Sequence, residues 1–399
     1  MSFADTAPNS GLRTLGDLGD VAGRRVLVRV DFNVPLQDGQ VADDTRIRLV
    51  LPTLRALRER GAKLLLVSHL GRPKDRDPAF SLRPVVDRLA LLLAEEVALA
   101  LDLDHIPDGD LVVLENIRYE PGETKNDPQL AARLGALAYA YVNDAFGSAH
   151  RAHASTEGVV HHVARSAAGL LFEREVEMLS ATMSDPRRPL VAVLGGAKAT
   201  DKIAVIERFL EVADAVLLGG GMGYPFLAAS GRRIGNSLCD AEGLAAARRT
   251  LELPGAAEKL RLAVDLVVAD DFATDAARRV VNIDAEDIED GWEALDIGPR
   301  TRAAYAQVIE RAGTVFWNGP VGAFELAPFA AGTHAIADAV VSTDAVTVVG
   351  GGDSIAALTK FGVEDRVTHL STGGGASLAF VEGRPLPGVV ALMRDPSVG

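Results

Sequence analysis

Short apolar runs, each closed by a polar or glycine-rich loop, alternate along the chain with longer segments whose apolar residues recur every three or four positions. Runs of the first kind read as buried strands, segments of the second kind as amphipathic helices. In the first half the pattern predicts strands at Arg25–Val30, Lys63–Val67 and Leu111–Leu114, and a short one ending at Tyr141–Val142. Asp43-Asp44-Thr45-Arg46 supplies helix-start chemistry. Ile47, Val50, Leu51, Leu54 and Leu57 then give a helical stripe, which Pro52 should kink or restart. Further helices are expected over 82–95, 130–140 and 172–183, and residues 1–23 read as a loose lead-in. Charges interrupt the apolar stretch 89–101, which fits a buried helix and a following strand rather than a membrane span.

The second half repeats the grammar, with strands expected at 190–194, 215–218, 262–268, 314–317, 345–349 and 367–370. Strand, loop and helix in repetition specify an α/β protein with mostly parallel sheets. The proline-bounded break Asp185–Pro189 separates the halves, so the 172–183 helix becomes their connector.

In parallel sheets ligands bind beyond the carboxyl ends of the strands. The strand-end loops of the first half carry Asp31 and Asn33; His69 and Arg72; Asn116 and Arg118; His150 and Arg151; Arg46 follows the first. A single arginine after a strand is ordinarily solvated. A cation or polar amide after every strand reads instead as a basic patch for a small phosphorylated, carboxylated ligand. The second half opens on LVAVLGGAKATDK, 190–202. If a helix starts near Thr200, Lys198 and Lys202 sit over each other at its N-terminal end, which suits a phosphate chain. Taken alone, the stretch reads equally well as a βα turn with two solvated lysines, and it matches no GxxxxGK[ST] loop. Glycine runs at 219–221, 350–352 and 373–375 also follow strands, as do Asp270-Asp271 and Asn318-Gly319-Pro320. Such runs make backbone accessible to a nucleotide-sized ligand, and Asp353 offers a carboxylate to a divalent cation.

Composition narrows the class. The 399 residues are 48% hydrophobic and 24% charged, ordinary globular values, and suffice for roughly two to three domains. The 55 acidic against 41 basic residues give a formal charge of −14, which disfavours nucleic acid and anionic membranes. The one cysteine, Cys239, excludes a disulfide framework and reads as a buried, inert thiol. The first residues, MSFADTAPNSG, lack a basic and an apolar targeting region, so the expected compartment is the cytoplasm. His150, His153, His161 and His162 lack the cysteines or acidic partner of a metal set, and 286–290 reads as a solvated acidic loop.

Long motifs then fall into place: RVDFNVP (29–35), DDTRI (43–47), SHLGRP (68–73), LENIRY (114–119), VNDAFGSAHRAHAST (142–156), LGGAKATDKI (194–203), LLGGGM (217–222), LDIGP (295–299), FWNGPVGAFE (316–325), VGGGDS (349–354) and LSTGGGAS (370–377). From about Leu12 to Met393 the chain resembles the phosphoglycerate kinases. The resemblance implies two doubly wound Rossmann-like domains whose parallel sheets face each other across a cleft. A phosphoglycerate-binding domain would span 1–169 and 385–399, a connecting hinge helix 170–184 and a nucleotide-binding domain 185–384. It implies reversible, Mg²⁺-dependent phosphoryl transfer from 1,3-bisphosphoglycerate to ADP, giving 3-phosphoglycerate and ATP, by a monomer. Asp31, Asn33, Arg46, His69, Arg72, Arg118 and Arg151 would hold the phosphoglycerate. Lys198, Lys202, Gly219, Gly220, Ala294, Asn318, Glu325, Gly351, Gly352, Asp353 and Ser354 would hold the nucleotide, with Asp353 on the metal. Arg46, Lys202 and the amides at Gly373 and Gly374 would stabilise the phosphoryl group in flight. The carboxylate acceptor is ionised at pH 7, so no Ser-His-Asp or Cys-His nucleophile is needed.

The chain departs from the family pattern in three places. Trp292-Glu293-Ala294-Leu295-Asp296 replaces Trp-Met-Gly-Leu-Asp, which puts a methyl group where a glycine lies near the base. Residues 99–109 form a shortened segment without the Asp-Cys-Val-Gly motif, and Gly223-Tyr224-Pro225 replaces Ala-Tyr-Thr. Two other readings compete. An NAD-dependent Rossmann dehydrogenase requires a GxGxxG helix start that no glycine run here supplies. A catalytically silent nucleotide-binding protein of the same fold would have lost Arg46, Lys198, Lys202 or Asp353, and all four are present.

Overall fold

The computed structural model describes residues 11–198 and 202–394. The chain divides into two compact units, Met1–Glu177 with Gly383–Gly399, and Met178–Glu382.

In the first unit the elements run β1 (Arg25–Arg29), β2 (Leu36–Gln37), β3 (Gln40–Val41), α1 (Thr45–Glu59), β4 (Lys63–Val67), α2 (Arg83–Leu93), β5 (Ala98–Ala100), β6 (Leu111–Leu114), α3 (Pro128–Ala136), β7 (Ala140–Asn143) and β8 (Ser166–Ala168), and α4 (Leu170–Ser184) carries the chain across the boundary. The strands pair in parallel in the order β5-β6-β4-β1-β7-β8, with β2 and β3 a separate antiparallel pair. The order in which strands are added reverses between β1 and β7, so the loops after these two strands flank a crevice of the kind that takes ligands. The apolar stripe of α1 joins Leu64, Leu66, Val85 and Leu89 in one core. That helix runs through Pro52 without a restart. Pro52 lies on the exposed side, where water can take the carbonyl its missing N–H leaves.

Two expectations change here. Residues 11–23 are not loose: Leu12, Leu15, Leu18 and Val21 are buried, and Leu12 bridges Met393. Residues 1–10 lie outside the described ones. The helix expected over 130–140 stops at Ala136, and Ala140 already pairs with Val26. Nothing in the apolar sequence 137–139 signals that stop; strand pairing imposes it.

The second unit runs β9 (Leu190–Leu194), α5 (Ile203–Val212), β10 (Ala215–Leu218), α6 (Tyr224–Ala229), α7 (Ala241–Leu251), α8 (Ala256–Lys259), β11 (Leu260–Arg261), β12 (Asp265–Ala269), β13 (Arg278–Asn282), β14 (Glu293–Ile297), α9 (Pro299–Glu310), β15 (Thr314–Asn318), α10 (Ala331–Ser342), β16 (Val346–Gly350), α11 (Gly352–Phe361), β17 (His369–Ser371) and α12 (Gly375–Val381). The chain then returns to the first unit, where α13 (Pro387–Val390) lies and Gly388 N donates to Ala149 O at 2.9 Å.

The main sheet is parallel, in the order β11-β10-β9-β15-β16-β17. Counted along the chain this is the 3-2-1-4-5-6 order of dinucleotide-binding folds, with its switch point between β9 and β15. The strand expected over 262–268 begins only at Asp265, and a separate two-residue strand, β11, precedes it. β11 belongs to this sheet, whereas β12 joins β13 and β14 in an antiparallel sheet. Buried Asp265 marks the division, accepting from the Arg300 and Thr301 amides at the start of α9. Apolar residues on both sides hid it. Asp270-Asp271 therefore ends a strand of the small sheet, not one of the parallel strands. Arg278 and Arg279, which open β13, concealed that strand as well.

Candidate functional site

In the first unit the cationic side chains gather where β1, β4, β6 and β7 end. Arg46, at the start of α1, donates from Nη1 to Asp31 Oδ2 at 2.9 Å. Asn33 Oδ1 accepts from Gly71 N at 2.8 Å, and the Arg118 guanidinium bonds the Gly71 carbonyl, so the loops after β1, β4 and β6 are tied together. Arg151 Nε donates to His150 Nε2 at 3.0 Å. Burial pushes the Arg118 guanidinium down to about 10, helped by Arg151, Arg29 and Arg72. Burial and then Arg29 and Arg118 hold His69 well below its ordinary value, and the same causes push His153 down to about 4. The patch is thus crowded with positive charge, and an anion would relieve the crowding.

Sequence reasoning missed Arg29, Glu123, His153 and Ser155 as parts of this site. Arg29 is 1% exposed. It donates from Nε to Ser155 Oγ at 3.0 Å and lies 3.0 Å from His69 Nδ1 through Nη2. The signal was present: a charge inside the strand run RVLVRV, at a position the pattern buries.

In the second unit the loops after β9 and β15 meet at the switch point. Gly195 N donates to Asn318 O at 3.0 Å and Gly196 N to Pro320 O at 2.8 Å. A β-carbon on Gly195 would lie 2.1 Å from the Pro320 carbonyl oxygen. Lys202, immediately before α5, donates from Nζ to Gly195 O at 3.0 Å. The helix start expected near Thr200 lies outside the described residues, and Lys198 is exposed. Gly319 N donates to Ser354 Oγ at 2.6 Å. Asn318 Nδ2 is buried without a hydrogen-bond partner, beneath Gly351. Gly351 and Gly374 adopt positive φ (93° and 54°), and Gly352 and Gly374 have open space where a β-carbon would stand. Gly373 lies in the turn between β17 and α12.

The first glycine run differs in kind. Val321 fills the space beside Gly219, and the Ala197 backbone that beside Gly221. Gly219 thus allows loops to pack rather than opening backbone to a ligand, whereas Gly221, packed on Ala197, also lines the neighbouring cavity.

A cavity of about 730 Å³ opens beside these loops. Gly196, Gly220, Pro320, Ala294, Glu325 and Asp353 line it, together with Leu238 and Phe272, which sequence reasoning passed over. Leu238 and Phe272 are large exposed apolar side chains, and they give the cavity a face suited to a planar base. Ala294 sits on β14, its N–H donating to Ser237 Oγ at 2.9 Å. Cys239, next to Leu238, is exposed rather than buried, because the turn before α7 carries it to the surface. Burial of part of the thiol, and Asp240, push its pKa up, so it is a poor nucleophile.

Among the described residues no three His, Cys, Asp or Glu side chains are grouped to hold a metal. Mg²⁺ needs less: one or two carboxylates complete a shell made mostly of phosphate oxygens and water. Exposed Asp353, in the first turn of α11 and on the cavity wall, fits that need.

The family profile described as phosphoglycerate kinase matches residues 15–384. The chain is 51% identical over 393 residues to a phosphoglycerate kinase of Desulforudis audaxviator, covering 96% of this chain and 99% of that one. It is 51% identical to that of Chloroflexus aggregans, covering 95% and 98%. The solved phosphoglycerate kinase of Coxiella burnetii superposes with a TM-score of 0.89 at 41% identity, and that of Pyrococcus horikoshii with 0.83 at 32%; each comparison covers 96% of this chain and 98% of the other. The chain belongs to the phosphoglycerate kinase family of phosphotransferases.

Proposed function

We propose that the two units divide the family's reaction between them. That reaction moves a phosphoryl group reversibly between 1,3-bisphosphoglycerate and ADP, giving 3-phosphoglycerate and ATP in glycolysis. Asp31, Asn33, Arg46, His69, Arg72, Arg118 and Arg151 hold the phosphoglycerate. Lys198, Lys202, Gly220, Ala294, Asn318, Glu325, Gly351, Gly352, Asp353 and Ser354 hold the nucleotide, while Gly219, expected among them, serves loop packing. The observation that carries this reading is the matched placement of a cation patch and a glycine-walled cavity, each at the carboxyl ends of a parallel sheet.

The acceptor in the ATP-consuming direction is a carboxylate, so no general base is required. Catalysis then rests on in-line positioning and on charge stabilisation of the moving oxygens. Arg46 supplies a guanidinium from one unit, while Lys202 and the Gly373 and Gly374 amides supply donors from the other. Lys202 is already held at Gly195, so little reorganisation is needed when charge develops. Mg²⁺, when bound at Asp353, neutralises phosphate charge. Because donor and acceptor belong to different units, the hinge helix α4 must let them meet, and closure then excludes water from the phosphoryl group. We further propose that the protein acts as a cytoplasmic monomer; among the described residues no helix is long and apolar enough to cross a membrane.

A coupled assay with 3-phosphoglycerate and Mg·ATP, wild type beside Lys202→Ala, tests the reading. Turnover in the wild type and a large loss in the variant are expected. Near-normal kcat in the variant would overturn the role given to Lys202.

A further inference from the structure

Beneath the cation patch lies one buried carboxylate for which the reaction as described has no use. Glu123 is 2% exposed. It sits among Arg29, Arg118 and His153, in a short turn that precedes α3. Its Oε1 accepts from Ser155 Oγ at 2.6 Å and its Oε2 from Ser155 N at 3.0 Å, while its backbone oxygen accepts from Ala154 N at 3.0 Å. The segment after Arg151 is therefore clamped to Glu123 through three bonds. Burying a carboxylate this completely requires compensation by hydrogen bonds and neighbouring charge, and both are present. Burial raises its pKa, and the Arg29 charge and the two Ser155 bonds draw it back down.

The bonds around Glu123 have a direction. The carboxylate can only accept, so the Ser155 hydroxyl points its proton at Glu123 and offers a lone pair to Arg29 Nε, 3.0 Å away. Held at Nε by Ser155 and at Nη1 by the Val30 carbonyl, Arg29 is fixed with Nη2 at 3.0 Å from His69 Nδ1. A guanidinium has no lone pair to give, so His69 Nδ1 must be the acceptor and the ring proton must sit on Nε2. An imidazole that carries its proton on Nε2 can donate to an anion; the other tautomer presents a lone pair there and would repel one.

We infer that Glu123 is a positioning residue for phosphoglycerate binding: through Ser155 and Arg29 it fixes His69 as the Nε2–H tautomer and so keeps it a donor toward the substrate anion. This rests on the reading of the patch as the phosphoglycerate site.

The test combines spectroscopy with kinetics on the full-length protein. ¹⁵N-histidine-labelled wild type, Glu123→Gln and Ser155→Ala are compared by imidazole NMR, with His69 assigned by its loss in His69→Gln. In the wild type His69 is expected to show a protonated Nε2 and an accepting Nδ1. In both variants the two tautomers should mix. KM for 3-phosphoglycerate should rise on the order of tenfold, the size expected for one lost charge-assisted contact, while KM for ATP stays within twofold. Arg118→Ala serves as the arm that reports on the patch itself. If it leaves KM for 3-phosphoglycerate unchanged, the reading of the patch fails. If it raises that KM while Glu123→Gln and Ser155→Ala do not, the patch stands and the role of Glu123 is overturned. A proton on Nδ1 of wild-type His69 overturns it as well. Should Glu123→Gln fail to fold, the smaller Ser155→Ala change decides.

Discussion

Lys202 combines two properties that a phosphoryl-transfer residue needs: a charge, and a position fixed before substrate arrives. Its Nζ is held 3.0 Å from the Gly195 carbonyl at the β9/β15 switch point. Replacing it by alanine should lower kcat by on the order of 10²–10³, the usual loss for one donor aimed at developing charge. KM for ATP should move much less, which steady-state kinetics in both substrates would reveal. A second residue carries a pH signature. Asp144 is wholly buried, and burial pushes its carboxyl up to about 6 from 3.8. Between those values the folded protein keeps a proton that the unfolded chain has lost. This contribution therefore favours the fold at the acid end and is lost as pH rises through about 6, on the order of 3 kcal/mol in all. Urea midpoints measured from pH 4 to 8 should show this decline in the wild type and a shallower one in Asp144→Asn.

At the scale of elements, glycines at strand ends serve two different purposes that their sequence does not distinguish. At Gly195 a β-carbon would stand 2.1 Å from the Pro320 carbonyl, backbone that cannot give way. At Gly352 it would meet open space. Gly195→Ala should therefore lower the melting temperature and raise KM for ATP together. Gly352→Ala should leave the melting temperature unchanged and raise KM for ATP alone, because no protein atom lies there and the proposed nucleotide would. Thermal unfolding alongside kinetics separates the two cases. α1 makes a similar point about local rules. Its stripe Ile47, Val50, Leu51, Leu54 and Leu57 was readable, and so was the patch residue Arg46 at its start. What Pro52 would do was not, because that depends on which side of the helix faces water.

At the scale of the whole molecule, the residues proposed to hold the phosphoglycerate belong to one unit and those proposed to hold the nucleotide to the other, and α4 carries the chain between them. Transfer then requires the two ligands to be brought within reach, with water excluded. Saturating both substrates should reduce the radius of gyration measured by solution scattering, and either one alone should do so less. An unchanged radius with both bound would count against closure. Chelation of Mg²⁺ should abolish transfer while leaving 3-phosphoglycerate binding in place, a difference that calorimetry resolves.

The sequence alone determined the α/β class, the parallel strands, the strand-end arginines and glycine runs, and the family. These follow from local periodicity and from side chains that must lie near strand ends. It did not determine that the strand beginning at Asp265 joins a separate antiparallel sheet, or that residues 11–23 pack against the returning C-terminal segment. Nor did it show that Val321 fills the space beside Gly219, or that Glu123, Ser155 and Arg29 assemble beneath His69. Each of these depends on residues far apart in the chain meeting in a low-dielectric interior, where an unpaired charge or an unfilled volume is costly. Only the tertiary structure specifies those meetings, because periodicity records which face is buried and not what it is buried against.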